Sequence, residues 1–419
     1  MRRVQNIEKR RGMRLQKIIN AVVFGSLFVW SYTGILGCSD EDSGIETVLE
    51  TADIIGGYSA TSTALDHTGA LVIQYEDGYI EPFCTATLIG PEAVVSAKHC
   101  TEIAMWGYDI YFAIGPDAYL PDELVQVVSY DMAPVDDGGF VGLGQDVGVL
   151  YLDHLPESGI TPVLPKPSSE LTVGDRMIGL GYGVFSTNYL YDGQRRIGRE
   201  TVAAVDGLTF EAMFGDFESF VEWWLTGETT DADILESFDD EDYLNDLMDI
   251  YESELLLDGD EAVTGEAAGD TQSCYGDSGS PLMKYTAGIG WQTYGVVSGG
   301  VGSLRSVCDY GTVFATFGPD VYAFLEDARN WEDPCGDVGE SGLCDGNTAV
   351  HCVTDLSAGV REMSEENCDD SGRTCVLLDD GARCGVVGNQ APSDDPQTSV
   401  EELGAALEEA VRDAYFYAH

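Results

Sequence analysis

The sequence predicts an all-β fold, a barrel or a sandwich, with a small disulfide-rich module attached. Short apolar segments alternate with turns rich in Gly and Pro, a pattern typical of antiparallel sheets. The length of 419 residues suffices for about two or three domains. Ten of the 11 cysteines fall into two groups, one between positions 84 and 308 and one between 335 and 384, so we expect two structural units.

Eight segments qualify as strands because they are short, apolar and bounded by turn residues. They are residues 70–75, 84–89, 93–96, 110–114, 124–130, 147–152, 176–180 and 292–297.

Residues 209–270 form an acidic segment with no Lys or Arg. Two sets of apolar residues recur in it at helical spacing and predict two amphipathic helices. The sets are Phe210, Phe214, Phe217, Val221 and Trp224, then Leu244, Leu247, Met248, Tyr251 and Leu255. Core packing with a solvated acidic face is the simplest interpretation. A substrate gate or a Ca²⁺ site is the alternative, but no EF-hand loop is present and the metal stays unassigned.

The charge balance excludes one class of partner. The chain has 20 Lys and Arg residues against 74 Asp and Glu, a net charge of −54. Because such a surface repels phosphate backbones, we exclude nucleic acid as a partner. The hydrophobic fraction of 44% is too high for a disordered acidic polymer, so we expect a folded protein.

Residues 1–37 have the layout of an export signal. Seven bases, with Lys17 the last, precede a mostly apolar run over residues 18–37. The run ends in ILGC, which resembles the lipobox of bacterial lipoproteins and implies a lipid at Cys38 that attaches the chain to a membrane. Ordinary secretion, a periplasmic location or a retained anchor are the alternatives. Ser39 favours the outer membrane, and residues 38–53 are expected to form an acidic tether.

Three separated segments carry side chains that could hydrolyse an amide bond. They are residues 96–100, 145–150 and 274–281, with the sequences SAKHC, QDVGVL and CYGDSGSP. Hydrolysis needs a nucleophile, a base with a pKa near neutrality and a carboxylate that orients the base. Ser278, His99 and Asp146 can supply these roles. Each has a plain structural interpretation when taken singly, but together they predict a catalytic triad.

These segments resemble those of the chymotrypsin family of serine proteases, and the resemblance extends over residues 54–331. It implies two six-stranded antiparallel β-barrels and a serine endopeptidase that works through an acyl-enzyme. It also implies a protein or peptide substrate, no cofactor and a monomer. The competing hypothesis is an inactive protease fold that serves as a binding or adhesion lipoprotein, and the complete triad argues against it.

The resemblance assigns roles to the neighbours of the triad. Gly276 and Ser278 would offer backbone N–H groups to the oxyanion. The segment that begins at Ile54 is similar to the processed N-terminus of the family, whose ammonium pairs with the Asp before the nucleophile, here Asp277. Since the preceding residue is Asp53 and not Arg or Lys, a trypsin-like activator would not cut there.

Substrate specificity is expected to differ from that of trypsin. Gln272 stands where trypsin-like members carry the Asp that attracts Arg or Lys. Ser298 and Gly300 belong to a segment similar to the substrate-binding strand of the family, in which Gly300 would leave the pocket open, and Thr312 would make the pocket shallower. We expect small or medium uncharged residues before the scissile bond. The alternative is that Gln272 and Thr312 only fill polar space.

The same resemblance assigns pairs to four of the cysteines. It implies disulfides between Cys84 and Cys100 and between Cys274 and Cys308. No C-x-x-C pair is present, so we expect no zinc cluster and no metal. The other six lie in a module expected over residues 332–386 and allow several pairings: Cys335, Cys344, Cys352, Cys368, Cys375 and Cys384.

The module could anchor substrate or act as a spacer. Residues 319–331 resemble the closing helix of the protease domain. Residues 387–419 are expected to form a linker and an acidic helix.

Overall fold

The structure is a computed structural model of the chain. It describes residues 57–75, 77–134, 145–157, 159–184, 190–226, 241–253, 255–265, 270–301, 308, 310–336, 338–378 and 381–385. The predicted export signal, Cys38, Ile54 and the C-terminal helix lie outside these residues. Within the described ranges, no helix combines the length and the apolar character needed to span a bilayer.

Six antiparallel strands close the first barrel. The short strand that precedes them, β1 (Tyr58–Ser59), pairs with Arg196 and Ile197 of the second barrel. The six are β2 (Thr68–Gln74), β3 (Ile80–Leu88), β4 (Ala93–Ser96), β5 (Ile110–Ile114), β6 (Glu123–Met132) and β7 (Gly148–Leu152). All six coincide with predicted strands. Their core is apolar and includes Leu71, Phe112 and Leu150. A one-turn helix, α1 (Lys98–Thr101), follows β4.

The second barrel is also a closed ring of six antiparallel strands, with a short strand β8 (Leu164–Pro165) parallel to one of them. The ring consists of β9 (Arg176–Gly181), β10 (Arg196–Ala204), β11 (Glu261–Thr264), β14 (Gly311–Thr316), β13 (Gly290–Val301) and β12 (Pro281–Thr286), and β9 pairs again with β10. The prediction of an all-β fold with two six-stranded barrels is confirmed. Only β9 and β13 were expected as strands. The sequence pattern did not predict β10, β11, β12 or β14.

The two barrels pack together through an apolar cluster. Val95 and Val149 from the first barrel meet Val296 from the second. Helix α5 (Pro319–Ala328) completes the cluster with Val321 and Leu325. The helix starts with Pro after Gly318, where the missing N–H costs no intrahelical bond. This agrees with the closing helix expected over residues 319–331.

The acidic segment forms three described helices where two were expected: α2 (Thr209–Phe214), α3 (Phe217–Thr226) and α4 (Glu241–Ser253). Gly215, with φ of 79°, separates α2 from α3 because a left-handed residue ends a helix. Leu255 lies beyond α4 and bridges to Leu208. The segment is also shorter than residues 209–270, since β11 belongs to the barrel.

The aromatic residues of these helices pack into one core, as the simplest interpretation predicted. Phe220 is fully buried at its centre, with the ring of Phe210 4.6 Å away between centroids. Leu247 and Tyr251 from α4 close the cluster. Truncation of such a buried Phe to Ala costs about 3 to 5 kcal/mol, so this core fixes the helices on the barrel.

The described chain divides into two compact units. The first includes both barrels, up to Gly336, and also Val353–Glu362, which was expected in the Cys-rich module. In this segment Leu356 packs against the core of the first barrel, and the carbonyl of Gly359 accepts a 2.8 Å hydrogen bond from Ser129 Oγ.

The second unit comprises Asp337–Cys352 and the chain from Met363 onward. Strands β15 (Leu343–Asp345) and β16 (Thr348–Asp355) form one hairpin, β17 (Val360–Asn367) follows, and β18 (Thr374–Leu378) and β19 (Gly381–Gly385) form a second hairpin. Disulfides join Cys344 to Cys375 and Cys368 to Cys384, and Cys335 and Cys352 are also disulfide-bonded. Disulfides are the usual substitute for a core in a module of this size.

Candidate active site

His99 and Asp146 form a hydrogen-bonded pair at the edge of the first barrel. Helix α1 places His99, and the loop that enters β7 places Asp146. His99 Nδ1 lies 2.8 Å from Asp146 Oδ2, and the His99 backbone N–H donates to Asp146 Oδ1 at 3.0 Å. Asp146 is 1% exposed, whereas the His99 side chain keeps 32% of its surface open. The pair therefore presents an imidazole to solvent and hides the carboxylate behind it.

The electrostatics of the pair suit a base. Burial alone would lower the pKa of His99, but the charge of Asp146 and the hydrogen bond to it outweigh burial and raise that pKa above its usual value of 6.5. Burial would raise the pKa of Asp146, yet His99 and the donors around the carboxylate hold it below its usual value. Asp146 thus stays ionised and stabilises a proton on His99.

Ser298 reaches this pair from the second barrel. Its Oγ donates to Asp146 Oδ2 at 2.6 Å, and the bond is buried. The prediction for Ser298 concerned substrate binding, which stays a prediction. Its hydroxyl contact with Asp146 was not foreseen, and it joins the carboxylate of the first barrel to β13 of the second.

Ser278 lies in a tight turn, partly exposed, between β11 and β12 of the second barrel. Its carbonyl accepts a 2.8 Å hydrogen bond from the backbone N–H of Thr85 in β3. Gly279, with φ of 83°, fits so closely that a Cβ there would lie 3.0 Å from Ala97 N and overlap Ser96 Oγ. The turn is therefore docked beside the start of α1, the helix that carries His99.

Thr85 fixes the peptide before this turn. Its Oγ1 donates to the carbonyl of Gly276 at 3.0 Å and accepts from the backbone N–H of Tyr182 at 3.3 Å. Gly276 has φ of 92°, a left-handed conformation that favours glycine. One hydroxyl of the first barrel thus sets the orientation of the peptide that was predicted to flank the oxyanion site.

Asp277 is fully buried behind the turn. Its Oδ1 accepts from Gly183 N at 2.9 Å and its Oδ2 from Cys274 N at 3.0 Å. A Cβ on Gly181 or Gly183 would overlap this carboxylate, so the glycines make room for it. Burial raises the pKa of Asp277 to about 7, against the effect of the two N–H donors. Its expected partner, Ile54, lies outside the described residues.

The predicted specificity residues line one side of the second barrel. Gln272 is buried, its Nε2 donates to the carbonyl of Tyr310 at 3.2 Å, and its Oε1 has no hydrogen-bond partner within the described part of the chain. Thr312 is fully buried, and its Oγ1 accepts from Ser273 N at 3.0 Å. Gly300 pairs with Thr312 between β13 and β14. The substrate-binding roles of Gln272 and Thr312 and the polar-space alternative both stay predictions.

Disulfides join Cys84 to Cys100 and Cys274 to Cys308, the two pairs that the resemblance implied. The described residues contain one cluster of possible metal ligands, Cys84, His99 and Cys100. Because the two sulfurs are bonded to each other, neither is a thiolate that could bind a metal.

A buried carboxyl in the second barrel was missed altogether. Glu200 is fully buried in β10, its Oε2 accepts from Thr264 Oγ1 at 2.6 Å, and its Oε1 has no hydrogen-bond partner among the described residues. Desolvation by burial raises its pKa to about 8. In the sequence it stands between Arg199 and Thr201, where an exposed acid is the usual expectation.

Comparison with known proteins supports the resemblance. Residues 54–201 match the model of the Trypsin family, a span that includes His99 and Asp146 and ends before Ser278. A search of curated proteins found no match. Together with the two closed six-stranded barrels, this match supports a trypsin-like serine protease family for the chain.

Proposed function

We propose that the protein is a serine endopeptidase in which His99, Asp146 and Ser278 form the catalytic triad. The observation that supports this most is the hydrogen-bonded pair of an open imidazole and a hidden carboxylate, with the Ser278 turn docked beside it. The family match agrees with hydrolytic chemistry. The base comes from one barrel and the nucleophile from the other.

In the proposed reaction His99 removes the proton from Ser278 Oγ as that oxygen attacks the substrate carbonyl. The backbone N–H groups of Gly276 and Ser278 stabilise the oxyanion, and losing one such donor costs about 10²- to 10³-fold in rate. The protonated His99 then gives its proton to the leaving amine, and an acyl-enzyme forms. Water, activated by the same base, releases the acid product and regenerates Ser278.

Activation is proposed to depend on a new N-terminus at Ile54. Asp277 is a buried carboxyl whose pKa burial raises to about 7, so an ammonium beside it would gain a strong partner. Because Asp53 precedes the cut, the activating protease is proposed to cleave after Asp.

The substrate pocket is proposed to accept uncharged residues of small or medium size. Gln272 cannot supply the negative charge that Arg or Lys requires. The Gln272 Oε1, which is buried without a hydrogen-bond partner among the described residues, and the buried Thr312 support a polar, shallow pocket. We also propose that the protein is exported and anchored by a lipid at Cys38, in the outer membrane.

The proposed function is tested by cleavage of a peptide library with the processed protein and with Ser278→Ala. We expect cleavage after small or medium uncharged residues, lost in the variant. Dominant cleavage after Arg or Lys would overturn the specificity, and equal hydrolysis by the variant would overturn the triad. Mass spectrometry of the same preparation tests whether Cys38 carries a lipid and whether the processed N-terminus is Ile54.

A further inference from the structure

A row of four tyrosines, one partly buried and three exposed, begins beside Gly276 and continues on the first barrel. We call Tyr191, Tyr119, Tyr79 and Tyr75 the tyrosine strip. A Cβ on Gly276 would lie 3.4 Å from the Tyr191 ring, and the rings of Tyr191 and Tyr119 meet edge to face with centroids 6.0 Å apart. The rings of Tyr79 and Tyr75 lie 5.9 Å apart.

Strand β3 connects the second half of the strip to the Ser278 turn. Tyr79 and Glu81 flank the start of β3, and four residues after Glu81 the backbone N–H of Thr85 donates to the Ser278 carbonyl. Burial raises the pKa of Tyr119, and the charges of Tyr79 and Glu81 add to that effect. The two halves of the strip are therefore both placed by elements that adjoin the proposed oxyanion site. The strip remains open to solvent, since Tyr75, Tyr79 and Tyr119 are 39%, 55% and 37% exposed.

The strip is also acidic, and the two arginines beside it, Arg195 and Arg196, are buried and form ion pairs with Asp66 and Asp192. Glu81 accepts a 2.5 Å hydrogen bond from the Tyr75 hydroxyl, and Asp77 and Asp117 sit at the turns that hold Tyr79 and Tyr119. Apart from the buried Lys98, the sequence has no Lys or Arg between Lys17 and Lys166. Aromatic faces beside carboxylates attract Lys and Arg through cation–π and Coulomb interactions.

The position of the strip defines which part of a substrate could reach it. If the reacting carbonyl lies at the N–H groups of Gly276 and Ser278, the side chain before the scissile bond enters the pocket of Gln272 and Thr312 in the second barrel. The leaving-group side must then run across the first barrel, over the strip. A step of about 6 Å between rings equals about two residues of extended chain. Tyr119 would meet about the second residue after the bond. Glu81 is four strand residues, or about 13 Å, from Thr85 beside Ser278, so it would meet about the fourth.

We propose that the tyrosine strip is a binding site for the leaving-group side of the substrate and selects peptides with Lys or Arg about two to four residues after the scissile bond. The inference rests on the proposed peptidase function. It predicts that the enzyme cleaves peptides with basic residues after the scissile bond. The pocket of Gln272 and Thr312 would still disfavour a basic residue directly before that bond.

The test uses quenched peptides that are identical up to the scissile bond and carry Lys, Gln or Glu at the second to fourth position after it. We expect kcat/KM to fall from Lys to Gln to Glu, by about 10-fold overall, and the difference to shrink at high salt. In Tyr79→Ala and Glu81→Gln the Lys preference should fall to about 2-fold or less. Tyr285→Ala, an exposed tyrosine of the second barrel, should keep it.

Two further measurements test whether the tyrosine strip, and not the general negative charge or a failed active site, determines the Lys preference. A Lys placed about eight residues after the bond, about 26 Å away along an extended chain, should give no preference, because the general negative charge acts there but the strip does not. Reaction of Ser278 with a fluorophosphonate, which has no leaving-group peptide, reports the catalytic machinery alone. Labelling without a Lys preference, or a preference that survives in both strip variants, would overturn the strip. Absence of labelling would overturn the peptidase function and the strip with it.

Discussion

The two barrels share one topology but bury different kinds of side chain. In the described strands of the first barrel the buried residues are apolar or carry hydroxyls, and no charged side chain is buried. The second barrel buries Arg196 and Glu200 in β10 and Glu261 in β11. The first barrel is thus a rigid support for His99 and Asp146, whereas the second holds charge next to the nucleophile and the pocket. Stability should depend on pH through the second barrel and on apolar packing in the first.

The largest expected effect is the loss of the base that the first barrel contributes. In His99→Ala, kcat/KM should fall about 10⁶-fold, because without the imidazole nothing removes the Ser278 proton. His154→Ala is the matched control, since His154 is 48% exposed and pairs only with its neighbour Asp153 among the described residues. A loss below about 10-fold in His99→Ala would mean that another group acts as the base.

The next effect concerns the charge buried in the second barrel. The pKa of Glu200 is raised from 4.5 to about 8, so the folded state retains a proton that the unfolded state releases, and stability falls as pH rises through this interval. Glu200→Gln should therefore unfold like the wild type at pH of about 4 and be more stable by up to about 5 kcal/mol at pH of about 9.

Thermal unfolding at the two pH values measures the difference. Glu157→Gln, which removes an exposed acid from a loop, should show the same small change at both. If Glu200→Gln behaved in the same way, the second barrel would not be the pH-sensitive one.

The link between the barrels at Asp146 is expected to have a smaller effect. Ser298→Ala removes a buried 2.6 Å hydrogen bond to the carboxylate, and a bond to a charged group is worth about 1.5 to 3 kcal/mol, or about 10- to 100-fold in rate. The loss should fall on kcat, since the hydroxyl contacts Asp146. Steady-state kinetics measure kcat and KM separately. A change confined to KM would favour a substrate-binding role for Ser298.

The smallest expected effect concerns the Thr85 hydroxyl. Thr85→Val keeps the shape of the side chain but frees the Gly276 carbonyl, and should lower kcat by about 5- to 10-fold. Thr87→Val is matched to it: Thr87 is buried two residues along the same strand, and its Oγ1 lies 3.2 Å from that of Thr68. Both variants should lose about 1 kcal/mol of stability, but only the first should lose activity. Equal kcat in the two would exclude a positioning role for Thr85.

The same contrast explains what the sequence could predict. All six strands of the first barrel follow apolar patterns, and the spacing of His99, Asp146 and Ser278 pointed to one site. In β10 the first three buried positions are Arg196, Gly198 and Glu200, and only the last two, Val202 and Ala204, carry apolar side chains, so the strand lacks the alternation that would predict it. The contacts of Ser298 and Thr85 depend on the packing of one barrel against the other, which local sequence does not encode.

In the proposed site a base on the first barrel activates a serine on the second. Intact-protein mass spectrometry after reaction with a fluorophosphonate tests this on the processed wild type, Ser278→Ala and His99→Ala. We expect one adduct per wild-type chain, located at Ser278, none in Ser278→Ala and far slower labelling in His99→Ala. An unlabelled wild type, or equal labelling of all three proteins, would contradict the proposed site.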